Sequence, residues 1–207
     1  MKLLKCCWIR NSLENYDNID LLWFNFIESS KRYITPEKAE LIETPFSTLR
    51  VWVFWRKSED WDWWNISKWD LVDVILTAKK AKMNAIQIHW FCDFAYLKMY
   101  NYLIFWSVPL SQPFPPREKG VLESIDFLII DWKEAGSWKS YDYSKIKDLN
   151  LEKNFLVAGW VSEKNVWEIF EIFKDNEYFC WIDVASWVDN WENIDLGKVG
   201  RIVRKIG

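Results

Sequence analysis

Eight short apolar runs, alternating along the chain with segments of helical spacing, predict a parallel α/β fold, and 207 residues are enough for all eight to close into one (β/α)8 barrel of the TIM type, a single domain over residues 1–207. A third observation sets aside the main rival. An open doubly wound sheet needs a glycine fingerprint after its first strand, and Lys5-Cys6-Cys7-Trp8-Ile9 carries none.

The strand-like runs fall at 3–7, 21–26, 49–54, 85–89, 102–106, 127–131, 155–158 and 179–184. Thr35, Pro36 and Glu37 supply a cap, a first-turn proline and an early acid for a helix through Ile42. Leu71, Val74, Ile75 and Ala78 share one helical face, and Ser162 is placed to cap a helix carrying Val166, Ile169, Phe170 and Phe173. A last helix runs from about Leu196 to Ile206. Pro113, Pro115 and Pro116 forbid a long helix within 109–123, leaving a loop or a short late turn, and the segment 58–69 has no useful periodicity.

A formal net charge of −3 with no basic run argues against nucleic acid as a partner. No apolar run is long enough to cross a bilayer, and Lys2 and Lys5 interrupt the stretch where a signal sequence needs its apolar core, so the expected location is cytoplasmic. Cys6, Cys7, Cys92 and Cys180 have neither zinc-site nor secreted-disulfide spacing, and the single histidine, His89, excludes sites built from several imidazoles.

In a barrel of this kind the chemistry sits at the C-terminal ends of the strands, which gathers Cys7, Arg32, His89, Asp131 and Asp183 around one mouth. Asp131 ends the run Phe127-Leu128-Ile129-Ile130, and a carboxylate there is costly unless solvated, paired or used. Strand alternation places Lys5 and Cys7 on one face. A thiol and a carboxyl facing each other across a mouth form a base and acid pair when their pKa values are tuned.

The segments KCCWI, SSKRYITPEKAELI, LRVWVF, MNAIQIHW, DFLIIDW, AGSWKSYDYSKI, FLVAGWVSEKNV and IDVASWVDN resemble, in order and spacing, the phosphoribosylanthranilate isomerases of tryptophan biosynthesis. The resemblance implies an Amadori rearrangement of a small phosphosugar, N-(5′-phosphoribosyl)anthranilate, with no cofactor and no metal, by a monomer or homodimer. It makes Cys7 the general base, Asp131 the general acid and Arg32 the partner of the anthranilate carboxylate. His89 and Asp183 match polar residues lining the pocket. The phosphate would sit on backbone N–H groups after the last two strands, at Gly159, Trp160, Ser186 and Trp187. The related histidine-pathway isomerases use a pair of aspartates, one at the end of strand one. Cys7 at that position speaks for the anthranilate substrate.

The chain has 17 Trp and only 6 Gly, where ordinary composition puts glycine near 7%. Tryptophan stands where the family has glycine in KCCWI, LLWF, RVWVF, QIHW, GSWK, AGW and ASW. Three readings account for this: a remodelled pocket in a non-catalytic or altered-substrate relative, an exposed aromatic binding surface, or UGA codons that the source reads as glycine, written here as tryptophan. Replacing every Trp by glycine turns EDWDWWNISKW into a glycine-rich loop and makes the composition ordinary.

Overall fold

The computed structural model describes residues 3–28, 30–54, 68–89, 91–110, 119–131 and 142–206. Eight parallel strands close in sequence order: β1 (Leu3–Cys7), β2 (Leu21–Asn25), β3 (Leu49–Phe54), β4 (Ala85–Ile88), β5 (Leu103–Pro109), β6 (Phe127–Asp131), β7 (Phe155–Val157) and β8 (Phe179–Val184). Pairing of β1 with β8, Lys5 opposite Asp183, completes the ring. All five residues of β1 are buried, as expected of a parallel strand covered on both faces.

The helices are α1 (Pro36–Leu41), α2 (Lys68–Lys80), α3 (Phe94–Lys98), α4 (Lys119–Ser124), α5 (Ser144–Lys147), α6 (Val166–Phe173) and α7 (Leu196–Ile206). Thr35 caps α1 as its sequence predicts, its hydroxyl accepting from the Lys38 N–H at 3.1 Å. In α7, Val199, Ile202 and Ile206 share one buried stripe. Arg50 of β3 ties the ends of α1 and α2 to the barrel by donating to the carbonyls of Ile42 (2.6 Å), Ala81 (3.0 Å) and Lys82 (3.0 Å). It thus satisfies acceptors that the helix ends leave open.

Several expectations shift. The β1–β2 connection carries no helix, so the repeat of strand and helix begins only at β2. Asn165, not Ser162, is the N-cap of α6; Ser162 lies a turn earlier and contacts the Asn165 side chain, its backbone N–H donating to Asn165 Oδ1 at 2.8 Å. Strand β5 begins at Leu103 and runs to Pro109, which pairs with Asp131 at the strand's last position, where the missing N–H costs least. β4 ends at Ile88, leaving His89 one residue beyond it. The short α4 agrees with the late turn expected in 109–123. Residues 58–67 and the GSWK segment lie outside the described residues.

Candidate active site

All strands being parallel, Cys7, Asp131 and the end of β8 lie on the same rim of the barrel. At β1 and β8 three fully or nearly buried groups form a closed triangle. Lys5 Nζ donates to Asp183 Oδ2 at 2.6 Å and to Cys7 Sγ at 3.3 Å, and Cys7 Sγ donates to Asp183 Oδ1 at 3.0 Å. Burial, and then the Asp183 charge, push the Cys7 thiol well above its ordinary value, while Lys5 opposes them. Burial alone would lower the Lys5 ammonium, but Asp183 and Cys7 hold it above its usual range. Both shifts favour an ammonium on Lys5 and a protonated thiol on Cys7.

Trp23, paired with Cys7 in the β1–β2 register, brings its ring to 4.7 Å from Lys5 Nζ, and the centres of the Trp8 and Trp23 rings are 5.5 Å apart. Cys7 is completely covered. His89 sits just past β4, with its Nε2 at 3.1 Å from Gln87 Nε2. Burial, with a contribution from the Lys5 charge, brings its pKa down to about 4, so the ring is neutral at pH 7.

Arg32 follows β2 and joins a second carboxylate, Asp189. Its Nε donates to Asp189 Oδ2 at 2.8 Å, while Arg10 Nη2 donates to Oδ1 at 2.8 Å. The guanidinium lies 3.4 Å from the Trp8 ring centre and 5.3 Å from that of Trp191. Burial would raise Asp189, but hydrogen bonds from Arg32, Arg10 and the Trp191 N–H hold it below the usual carboxylate range. Asp131 closes β6, three strands around the ring from β1. Its charge reaches Tyr143, whose phenol is pushed up first by burial and then by Glu168 and Asp131.

At the end of β7, Tyr143 donates to the Gly159 carbonyl at 2.9 Å, and Asn165 Nδ2 donates to the Trp160 carbonyl at 2.9 Å and to Tyr143 Oη at 3.0 Å. These bonds hold Gly159 and Trp160 in consecutive left-handed conformations, φ 83° and 56°. Ser186 and Trp187 lie in the turn after β8.

The tryptophans are conformationally odd. Among the described residues, eight non-glycine positions have positive φ, and four of them are tryptophan: Trp8 (76°), Trp160 (56°), Trp181 (142°) and Trp191 (71°). Three of the others are asparagines, which tolerate this region; an indole-bearing Cβ does not. Trp23 and Trp187 add buried indole N–H groups without a hydrogen-bond partner, each carrying a desolvation cost.

The triangle's third member, Lys5, shares a strand face with Cys7 by alternation alone, so a signal for it existed in the sequence. Arg10, Asp189 and Tyr143 left none, because each becomes relevant only through partners distant in the chain.

Fold and site together define a (β/α)8 barrel with a thiol, carboxylates and an ammonium gathered toward its C-terminal rim, where barrels of this class carry their chemistry. Residues 14–205 match the family model for N-(5′-phosphoribosyl)anthranilate (PRA) isomerase, and the chain belongs to that family. It is 24% identical to the N-(5′-phosphoribosyl)anthranilate isomerase of Clostridium kluyveri over 130 residues, 63% of each chain. It is also 24% identical to the Streptococcus mutans isomerase over 191 residues, covering 90% of this chain and 87% of that one. A crystal structure of phosphoribosyl anthranilate isomerase in complex with reduced 1-(o-carboxyphenylamino)-1-deoxyribulose 5-phosphate superposes with a TM-score of 0.69 at 20% identity, over 99% of this chain and 98% of that one. Among the described residues no group of His, Cys, Asp and Glu has the arrangement of a metal site, and no helix is long and apolar enough to cross a membrane.

Proposed function

We propose that the chain catalyses the Amadori rearrangement of N-(5′-phosphoribosyl)anthranilate to 1-(2-carboxyphenylamino)-1-deoxyribulose 5-phosphate. The observation that carries the reading is the thiol of Cys7, held by Lys5 and Asp183 on the rim that also bears Asp131. Asp131 delivers a proton to the ribose ring oxygen; the C1′–O bond breaks and the nitrogen lone pair forms the iminium. Cys7, once it has passed its own proton to Asp183 and become a thiolate, then removes the C2′ proton, which the iminium acidifies, and the enol so formed tautomerises to the ketone. Arg32, oriented by Asp189, offers its guanidinium to the anthranilate carboxylate, a match for a planar fork of donors. His89 contributes as a neutral ring. The phosphate is held by backbone N–H groups at Gly159, Trp160, Ser186 and Trp187, where φ is left-handed at Gly159 and Trp160.

The working enzyme carries glycine at the tryptophan positions. Left-handed φ at Trp8, Trp160, Trp181 and Trp191 supports this independently of the segment comparison, because it concerns the backbone and not the motif. A second reading, a barrel without catalysis, is favoured for the chain as written by one observation. The Trp23 ring lies over Lys5 with the Trp8 ring against it, and the thiol has no exposed surface.

Two measurements separate the readings. UGA codons at the tryptophan positions, and turnover of N-(5′-phosphoribosyl)anthranilate by the protein with glycine at all of them, are the expected results. UGG codons defeat the glycine assignment, and an inactive but folded glycine-bearing protein defeats the enzymatic one.

A further inference from the structure

We propose that Lys5 is a positioning residue that makes Cys7 a usable base. In this scheme the thiol proton passes to Asp183 Oδ1, and the Lys5 ammonium stabilises the thiolate left behind. The inference rests on the isomerase reading for the purpose of the base, but not for the proton transfer itself.

The geometry is a triangle of three contacts: 2.6 Å from Lys5 Nζ to Asp183 Oδ2, 3.3 Å from Nζ to Cys7 Sγ, and 3.0 Å from Sγ to Asp183 Oδ1. Lys5 and Cys7 have no exposed surface and Asp183 is 7% exposed. Ionising a thiol by releasing its proton to water would place a second negative charge in this buried setting, and burial is the largest cause resisting it. Transfer within the triangle avoids that. The S–H bond breaks, its electron pair stays on sulfur, the O–H bond forms on Asp183, and the net charge of the three groups does not change. The negative charge moves from one neighbour of Lys5 to the other. The three groups therefore titrate as a unit.

Other charges around the thiol do not supply this role. His89, beyond β4, is neutral at pH 7. Trp23 on β2 brings only a ring, and Asp131 is three strands away. Asp20 accepts from the Leu4 N–H and acts on Cys6, whose thiol burial and Asp183 also push up.

The test is a pH titration of cysteine followed by NMR of 13Cβ-labelled protein, with the Cys7 signal assigned by its loss in Cys7→Ser. This readout does not depend on access to the sulfur. Lys5→Met is expected to leave at least tenfold less thiolate at a given pH than the parent, while Lys5→Arg, which keeps the charge, restores most of it. An unchanged Cys7 titration in folded Lys5→Met overturns the proposal. Lys5→Met leaves a buried carboxylate without its ammonium, so Asp183→Asn provides a second arm that keeps an ammonium beside a sulfur. There the Cys7 midpoint is expected to fall below the ordinary thiol value of about 8.5. A midpoint above it means that burial wins and Lys5 does not support the thiolate, which also overturns the proposal. In the glycine-bearing protein Lys5→Met should lower kcat with little change in KM. Should that protein prove inactive, the isomerase reading fails while the titration still decides the role of Lys5.

Discussion

Asp183 and Asp189 are both buried carboxylates on the β8 side of the rim, each bridging two partners, yet they are suited to different work. Asp189 is held between Arg10 and Arg32, cations that do not give up a proton near neutral pH, so it can only clamp. Asp183 is held between Lys5 and the Cys7 thiol, and a thiol can hand over its proton. A carboxylate's role in this barrel is set less by its own burial than by whether a partner can exchange a proton.

The largest effect expected of this contrast is on turnover. In the glycine-bearing protein, Cys7→Ala or Asp131→Asn should lower kcat on the order of 10³-fold with the denaturation midpoint nearly unchanged. Near-normal activity in either would remove that residue from the chemistry.

On the clamp side the expected loss is in stability. Asp189→Ala strands two guanidinium groups whose side chains are only 11% and 24% exposed, and should cost about 3 kcal/mol in urea unfolding. A cost below about 1 kcal/mol would show Arg10 and Arg32 to be adequately solvated without it.

Trp160 and Trp191 sharpen the comparison from the loops. They are 51% and 69% exposed with left-handed φ, so replacing either by glycine removes strain and little packing. Each substitution should raise stability by about 1 kcal/mol in denaturant melts, and a loss of that size would contradict the glycine assignment.

The smallest effect is a pH slope at His89. Its folded pKa of about 4 lies below the unfolded value near 6.5, so the unfolded chain binds the proton first. Stability is therefore full above about pH 6.5, declines as pH falls toward about 4, and levels off below that. His89→Gln should flatten this window, and an unchanged slope would assign it to other groups.

Much of the fold was readable because its signals are local. The Thr35 cap, the extent of α7 and the existence of the apolar strands each depend on residues a few positions apart; the cap and the helix stand where their patterns put them, while β5 begins a residue later and runs three residues further than its run suggests. Ser162 misled because a serine before an apolar helix reads as a cap, while the structure starts α6 at Asn165. In the site, Cys7, His89, Asp131 and Asp183 were visible as polar groups at strand ends. Asp189 was not, since it looks like any loop acid until ring closure brings Arg10 and Arg32, from beyond the neighbouring β1 and β2, against it.

The sequence by itself determined that eight strand-like runs share the chain with segments of helical spacing and that Lys5 and Cys7 share a face, because periodicity is written residue by residue. Only the tertiary structure decided that Asp183 is the neighbour of both Lys5 and Cys7. That contact spans the chain and exists because the last strand closes the ring against the first, excluding water so that each of the three groups has to find its partner among the other two.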